Sequence, residues 1–263
     1  IVSVNSTGGF VYDLNTDNCT IGFNNITAKY EGSETTIASN ATATLTVNAK
    51  PTTLDITLNP TEVIIGDIVK ITGSTVNITE GSNITIYVNG KEVTIVTVNS
   101  TGDFVYELNT ANCTIGSNNI TAKYEGTETT IASNTTATFT VNAKPTTVNI
   151  TLNPTEVIIG ETVKVTGTTA NITEGSNITI YINGKEVAIV NVNSTGGFVY
   201  ELNTTNCTIG SNNITAKYEG TETALPSNTT ATFTVNAKPT TIDITLNPTE
   251  VIIGETVKVT GTT

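Results

Sequence analysis

The chain has 263 residues, and its 11 basic residues are outweighed by 23 acidic ones for a net charge of −12, with no Lys/Arg cluster; no electrostatic footprint is left for a phosphate backbone, so nucleic acid is not an expected partner. Charged residues make up 13% of the chain against about 25% in ordinary soluble proteins, and 59 Thr with 32 Asn take their place, a composition suited to exposed strands rather than helices. The absence of His removes the usual general base, the commonest transition-metal ligand and the pH switch, and no G-x-S-x-G, phosphate loop or C-x-x-C occurs, so no enzyme and no cofactor are expected.

Internal repetition organises the chain. The string "AKPTT" opens at Ala49, Ala143 and Ala237, and residues 49–142 differ from 143–236 at 15 of 94 positions. Residues 1–48 match the later half of the repeat and 237–263 match its first 27 positions. The expected organisation is therefore a C-terminal half-repeat at 1–48, complete repeats at 49–142 and 143–236, and the N-terminal part of another at 237–263. No apolar run approaches the roughly 18 residues that span a bilayer. The start "IVSVNSTGGF" has neither Met nor a signal sequence, which suits a mature product or an interior fragment.

Within 49–142, alternating runs separated by turn chemistry predict about seven strands: "TTLDITLN", "DIVKITGST", "SNITIYVN", "KEVTIVTVN", "DFVYELN", "NNITAKYE" and "TTATFTVN". Pro51 and Pro145 mark junctions, and Pro60 and Pro154 close the first strand. Asn89-Gly90 is a type I′ hairpin signal, since both central residues need positive φ. Alternation sends Leu54, Ile56 and Leu58, Val69 and Ile71, Ile84, Ile86 and Val88 inward. The same holds for Phe104, Tyr106 and Leu108, Ile120, Ala122 and Tyr124, and Ala137, Phe139 and Val141. In "KEVTIVTVN" the phase slips between Ile95 and Val96, where a bulge or change of sheet is expected. Seven antiparallel strands in about 94 residues fit an immunoglobulin-like β-sandwich, giving an all-β array of tandem Ig-like domains, beads on a string.

The runs "LNPTEVIIGDIVKITG", "ITIYVNGKEV" and "IGSNNITAKYEG" resemble the bacterial Ig-like repeat of the third group, found in long adhesin-like surface proteins of bacteria and especially methanogenic archaea. The resemblance covers the whole chain and implies sandwich domains strung into a stalk on the cell surface. Its motifs are structural. The core Trp and paired cysteines of antibody-type domains are missing, so nothing about antigen-like recognition carries over.

Eighteen N-x-[S/T] triplets occur, at Asn5, Asn18, Asn25, Asn40, Asn77, Asn83, Asn99, Asn112, Asn119, Asn134, Asn149, Asn171, Asn177, Asn193, Asn203, Asn206, Asn213 and Asn228, about twice the chance number for this composition. In each "NIT" the period of two puts Asn and Thr together on the face opposite Ile, so Asn83, Asn119 and Asn149 are expected to face water. N-linked sugar is the leading expectation; the plainer reading is that Asn and Thr simply suit exposed strands and turns.

Cys19, Cys113 and Cys207 recur once per repeat. Equivalent atoms of successive domains lie on the order of 40 Å apart, whereas a disulfide needs Cα atoms within about 7 Å, so no intrachain bridge is expected. In "NCTIG", Cys113 and Ile115 are expected inward, with Cys as a small buried hydrophobe; a bridge between fibres is the alternative. Asp67, Glu80, Glu125 and Glu128 are read as solvated turns rather than calcium ligands, in the absence of a D-x-D-x-D-G run. Lys70 and Lys123 fall on the outward phase, against a Lys–Asn cross-link.

The expected function is a structural, non-catalytic extracellular filament or stalk, secreted or on the cell surface and heavily N-glycosylated, whose partners are neighbouring repeats and other copies of the fibre. Two alternatives stand beside it: an adhesin whose Ig-like domains bind glycans or proteins on partner cells, and a fibre joined by strand exchange. The nearly unchanged loops "EGSETT", "EGTETT" and "EGTETA" favour a spacer over a reader.

Overall fold

The structure, a computed structural model, describes residues 1–263. Strands and three short 3-10 turns make up its regular structure. It divides into two compact units, Ile1–Asn142 and Ala143–Thr263. The first begins with a hairpin of β1 (Gly22–Tyr30) and β2 (Ser39–Val47), a two-stranded sheet of its own. Then come β3 (Thr53–Asn59), β4 (Glu62–Ile64), β5 (Ile68–Val76), β6 (Asn83–Val88), β7 (Lys91–Thr97), β8 (Asp103–Asn109), β9 (Gly116–Tyr124) and β10 (Ser133–Asn142). These form one sheet in the order β3-β5-β8 and another in the order β4-β10-β9-β6-β7, an Ig-like sandwich.

The second unit repeats the plan with β11 (Thr147–Asn153), β12 (Glu156–Ile158), β13 (Thr162–Ala170), β14 (Asn177–Ile182), β15 (Lys185–Asn191), β16 (Gly197–Asn203), β17 (Gly210–Tyr218) and β18 (Ser227–Asn236). Its sheets run β11-β13-β16 and β12-β18-β17-β14-β15. A hairpin of β19 (Asp243–Asn247) and β20 (Lys258–Thr262) follows.

Period-two alternation builds the interior. Val69, Ile71, Ile84, Ile86, Ile120, Ala122 and Val141 are fully enclosed between the two sheets, with Ile56, Leu58 and Tyr106 packed half-buried against them. Gly73 faces Phe104 across the β5–β8 pair, and a Cβ there would lie 1.9 Å from the ring, so only glycine lets the aromatic lie flat over the strand. Asn89 and Gly90 both take positive φ, as a two-residue type I′ turn requires.

Three details differ from the sequence expectation. An eighth strand, β4, follows Pro60: Asn59 ends β3 in one sheet, and Glu62–Ile64 cross to pair in parallel with Thr140–Asn142 of β10 in the other. Three residues are too few for alternation to announce a strand. The irregularity in β7 lies at Val93 rather than between Ile95 and Val96, because Ile86 pairs with Thr94 while Tyr87 pairs with Glu92. Val93 and Ile95 are apolar on the outer face of an edge strand, which disguises the phase. Finally, Ile115 is exposed instead of inward. The chain changes phase between Cys113 and Gly116, whose φ of 100° starts β9 with Gly116, Asn118 and Ile120 on the inner side.

Candidate functional site

All eighteen triplet asparagines are exposed. Nine lie on strands and away from any cap, Asn25, Asn40, Asn83, Asn119, Asn134, Asn149, Asn177, Asn213 and Asn228, and a tenth, Asn203, is the last residue of β16. At those nine the extended backbone sets Asn and the Thr two residues on side by side on one face.

Four, Asn5, Asn99, Asn193 and Asn203, fold their own triplet into a turn. Asn99 Oδ1 accepts from the Thr101 amide at 2.9 Å, from Thr101 Oγ1 at 2.8 Å and from the Asp103 amide at 2.8 Å. Asn193 repeats this with Thr195 and Gly197, and Asn5 with Thr7 and Gly9. Asn203 Oδ1 caps a 3-10 turn by accepting from Thr205, through both its amide and its hydroxyl. In this arrangement the amide oxygen is occupied by the hydroxyl of the triplet, and Nδ2, the atom a sugar would take, is left without a protein partner.

Asn77 and Asn171 are the opposite case. Each sits at φ 58°, and each donates Nδ2 at 2.9 Å to a proline carbonyl, Pro51 and Pro145 respectively. The remaining three, Asn18, Asn112 and Asn206, close the 3-10 turns Thr16–Asn18, Thr110–Asn112 and Thr204–Asn206, directly before the cysteines.

Those turns form the corner that holds the thiol. Cys113 and Cys207 are free and half-buried, packed against the cores of their repeats, and Cys19 is free and half-buried as well. Each cysteine amide donates at 2.9 Å to the carbonyl of the first turn residue. Burial pushes the thiols of Cys113 and Cys207 up from the ordinary cysteine value, away from the reactive thiolate.

The alternation also places a polar group inside this corner. Asn118, outside any triplet, is buried with every polar atom engaged. Its Nδ2 donates to the carbonyls of Thr114 at 2.7 Å and Gly116 at 3.0 Å, and its Oδ1 accepts from Asn89 Nδ2 at 2.8 Å. Asn89 Oδ1 in turn accepts from the Asn119 amide at 2.8 Å, so the β6–β7 turn is tied to the start of β9. Thr110, also buried, donates Oγ1 to the Asp67 carbonyl at 2.8 Å and accepts from the Gly66 amide at 3.0 Å. The second repeat duplicates both devices in Asn212 with Asn183 and in Thr204 with Glu161. The adjacent asparagines of "NNIT" were the available signal: in that strand the one in phase with the buried Ile must point inward.

The carboxylates singled out in the sequence stay apart. Asp67 accepts at 3.3 Å from the Ile64 amide, and Glu125 pairs with Lys123 at 2.7 Å on the surface, raising the lysine's pKa. No three acidic or thiol side chains gather in one place. No helix of the chain is long and apolar enough to cross a membrane.

No protein-family model and no curated protein matches the chain. Among solved structures it is similar to a tetra-tandem repeat from the extending region of a large adhesion protein, at 16% identity over 94% of this chain and 65% of that one, with a TM-score of 0.44. Adhesin InvE of Yersinia pseudotuberculosis is similar at 16% identity over 68% of this chain and 58% of that one, TM-score 0.37. Fibronectin(III)-like modules of Clostridium thermocellum CbhA are similar at 14% identity over 70% of this chain and 95% of that one, TM-score 0.31. At these identities and scores the likenesses say nothing about what this chain binds.

Proposed function

We propose that the chain is a non-catalytic segment of an extracellular filament or stalk, built from tandem Ig-like repeats that begin at Ala49, Ala143 and Ala237 and carrying N-linked sugar. One observation supports it above the others: all eighteen triplet asparagines are exposed, while the three asparagines that are not, Asn24, Asn118 and Asn212, lie outside triplets. Sugar attached at sixteen of these sites, all but Asn77 and Asn171 whose Nδ2 is tied to a proline carbonyl, adds to the wet surface without breaking a bond of the fold. Each complete repeat encloses its own apolar core, so added repeats extend the chain without a new folding problem. The cysteines serve this design as unpaired filler at the corner.

Site-resolved mass spectrometry of the native protein, before and after enzymatic deglycosylation, tests the sugar. Mass increments on the "NIT" and turn peptides are expected, and unmodified peptides at every one of those sites overturn the glycosylated reading. Imaging of the intact particle tests the stalk, with compact units strung in a line as the expected result. Saturable binding of the purified chain to cells or to a glycan array moves the assignment to an adhesin instead.

A further inference from the structure

The first and last segments of each repeat run in the same direction, side by side. Lys50 bridges in parallel to Thr130, its amide donating to the Thr129 carbonyl and its carbonyl accepting from the Ile131 amide, both at 2.9 Å. At the other end β4 lies parallel to the end of β10. There the Thr140 amide donates to the Thr61 carbonyl and the Ile65 amide to the Asn142 carbonyl, both at 2.9 Å. A side-chain latch closes the pair, Asn142 Nδ2 donating to Glu62 Oε1 at 2.7 Å.

This geometry decides how the repeat meets tension. The chain enters beside Thr130, just before β10, and leaves at Asn142, so the points of load are separated by the run from Thr130 to Asn142, on the order of 40 Å at about 3.3 Å per residue. A pull on the two ends slides the leading segment backward along β10. The bonds between them lie across the pull and are loaded together, whereas an antiparallel hairpin pulled at its two free ends opens one bond at a time. The three enclosed antiparallel strands β9, β6 and β5 are not on the direct path, because the load passes from the leading segment to β10 first.

We infer that the parallel contact of the leading segment with β10, and of its counterpart with β18, is a shear clamp that makes each repeat bear tension along the chain. The second repeat contains the same clamp: Lys144 with Thr223 and Leu225, Thr155 with Thr234, and Asn236 with Glu156 at 2.7 Å. Its loop has changed from "TETTIAS" to "TETALPS", three of the fifteen differences between the repeats. The clamp survives because its bonds there run through the backbone. The inference rests on the stalk reading for its purpose, since only a tethered chain is pulled.

The test stretches the full chain by handles at its two ends. Two unfolding steps are expected, each lengthening the chain by about 300 Å, from 94 residues at about 3.6 Å less the folded span. Thr140→Pro with Thr234→Pro removes the amide that faces Thr61 and Thr155. It should shorten the lifetime under constant force roughly tenfold, the factor that corresponds to ~1.4 kcal/mol or one to two hydrogen bonds. Ile86→Val with Ile180→Val, in the cores away from the clamp, should lower equilibrium stability in urea while leaving that lifetime nearly unchanged. If proline prevents folding, Glu62→Ala with Glu156→Ala removes the latch alone and is expected to shorten the lifetime by a smaller factor. Lifetimes that follow urea stability equally in all variants, or the absence of any resolved step in the parent chain, overturn the clamp. Glycan mapping is untouched by that result, so the two readings fail separately.

Discussion

Phe10 and Phe104 occupy the same position of the repeat, yet the first is 53% exposed and the second 2%. Ile26 and Ile120 are 39% and 0% exposed, and Tyr30 and Tyr124 48% and 4%. The local devices of residues 1–48 are nonetheless those of 95–142. The β1–β2 register, from Gly22 with Val47 to Tyr30 with Ser39, is the β9–β10 register of Gly116 with Val141 to Tyr124 with Ser133. Asn5 folds the same turn as Asn99, and Asn15 caps a 3-10 turn as Asn109 does. What is lost is the segment that needs a distant partner: Asp103–Asn109 is β8 because β5 pairs with it, while Gly9–Asn15 has no such neighbour and forms no strand. Turn and hairpin chemistry thus takes shape within a few residues, whereas the inward face that alternation marks becomes buried only where the opposite sheet is there to cover it.

The largest expected break in this comparison comes from truncating the aromatic. Phe104→Ala leaves a ring-sized void in an enclosed core and should cost about 3–5 kcal/mol, whereas Phe10→Ala in the same chain should stay within roughly 0.5 kcal/mol. Urea unfolding combined with hydrogen exchange, which reads the segments separately, checks both. Gly73→Ala comes next, at about 1–3 kcal/mol, because the new methyl displaces the Phe104 ring. At Gly261, the equivalent glycine of β20, the nearest atom to a new Cβ is 3.4 Å away, and no comparable cost is expected. Equal effects of the two glycine substitutions would show that the ring contact is not what demands glycine.

Asn118→Ala sharpens the comparison inside the thiol corner. It strips the Thr114 and Gly116 carbonyls and the Asn89 side-chain amide of a partner in a half-buried place, at a cost of about 1 kcal/mol. It should also speed alkylation of Cys113, whose thiol burial pushes up from its ordinary value, as the corner opens. Asn24, the equivalent residue, makes the same local bonds to the Thr20 and Gly22 carbonyls in a half-exposed setting, so its replacement is expected to matter less. Iodoacetamide labelling with peptide mapping distinguishes Cys19 from Cys113.

Much of this architecture was legible beforehand because it follows from period two and from turn residues. The core positions from Leu54 to Val141, the Asn89-Gly90 turn and the 94-residue period all needed only neighbouring residues or self-comparison. The parallel strand β4 is not legible in the sequence because three residues carry no period, and it forms only when β10, nearly 80 positions later, arrives beside it. Ile115 misled because a positive φ at Gly116 reverses the face without changing the composition. For the strand triplets at Asn83, Asn119 and Asn149, exposure follows from alternation, but the difference between Asn99 and Asn77 does not. Whether an amide nitrogen is free or tied to a carbonyl 26 residues away is a tertiary fact.

The smallest expected effect separates the two complete repeats from each other. The Tyr124 hydroxyl lies 2.9 Å from Thr130 Oγ1, which is itself 2.7 Å from Thr127 Oγ1, so the loop after β9 is pinned to the strand before it. In the second repeat Ala224 stands where Thr130 does, and the Tyr218 ring is buried without that bond. Tyr124→Phe should therefore cost about 0.5–1.5 kcal/mol and Tyr218→Phe close to nothing, the two rings being buried alike while the adjoining loop differs also in Ile131 against Leu225 and Ala132 against Pro226. A cycle pairing Tyr124→Phe with Thr130→Ala isolates the hydroxyl contact. Near-zero coupling there would mean that ring burial alone fixes the loop, as it already must in the second repeat. Tyr30 tells these contributions apart from the other side, since it keeps its 2.7 Å contact with Thr36 while almost half of its surface stays in water. There the bond competes with solvent, and Tyr30→Phe is expected to change little, which would place the value of the hydroxyl in the enclosure around it rather than in its distance.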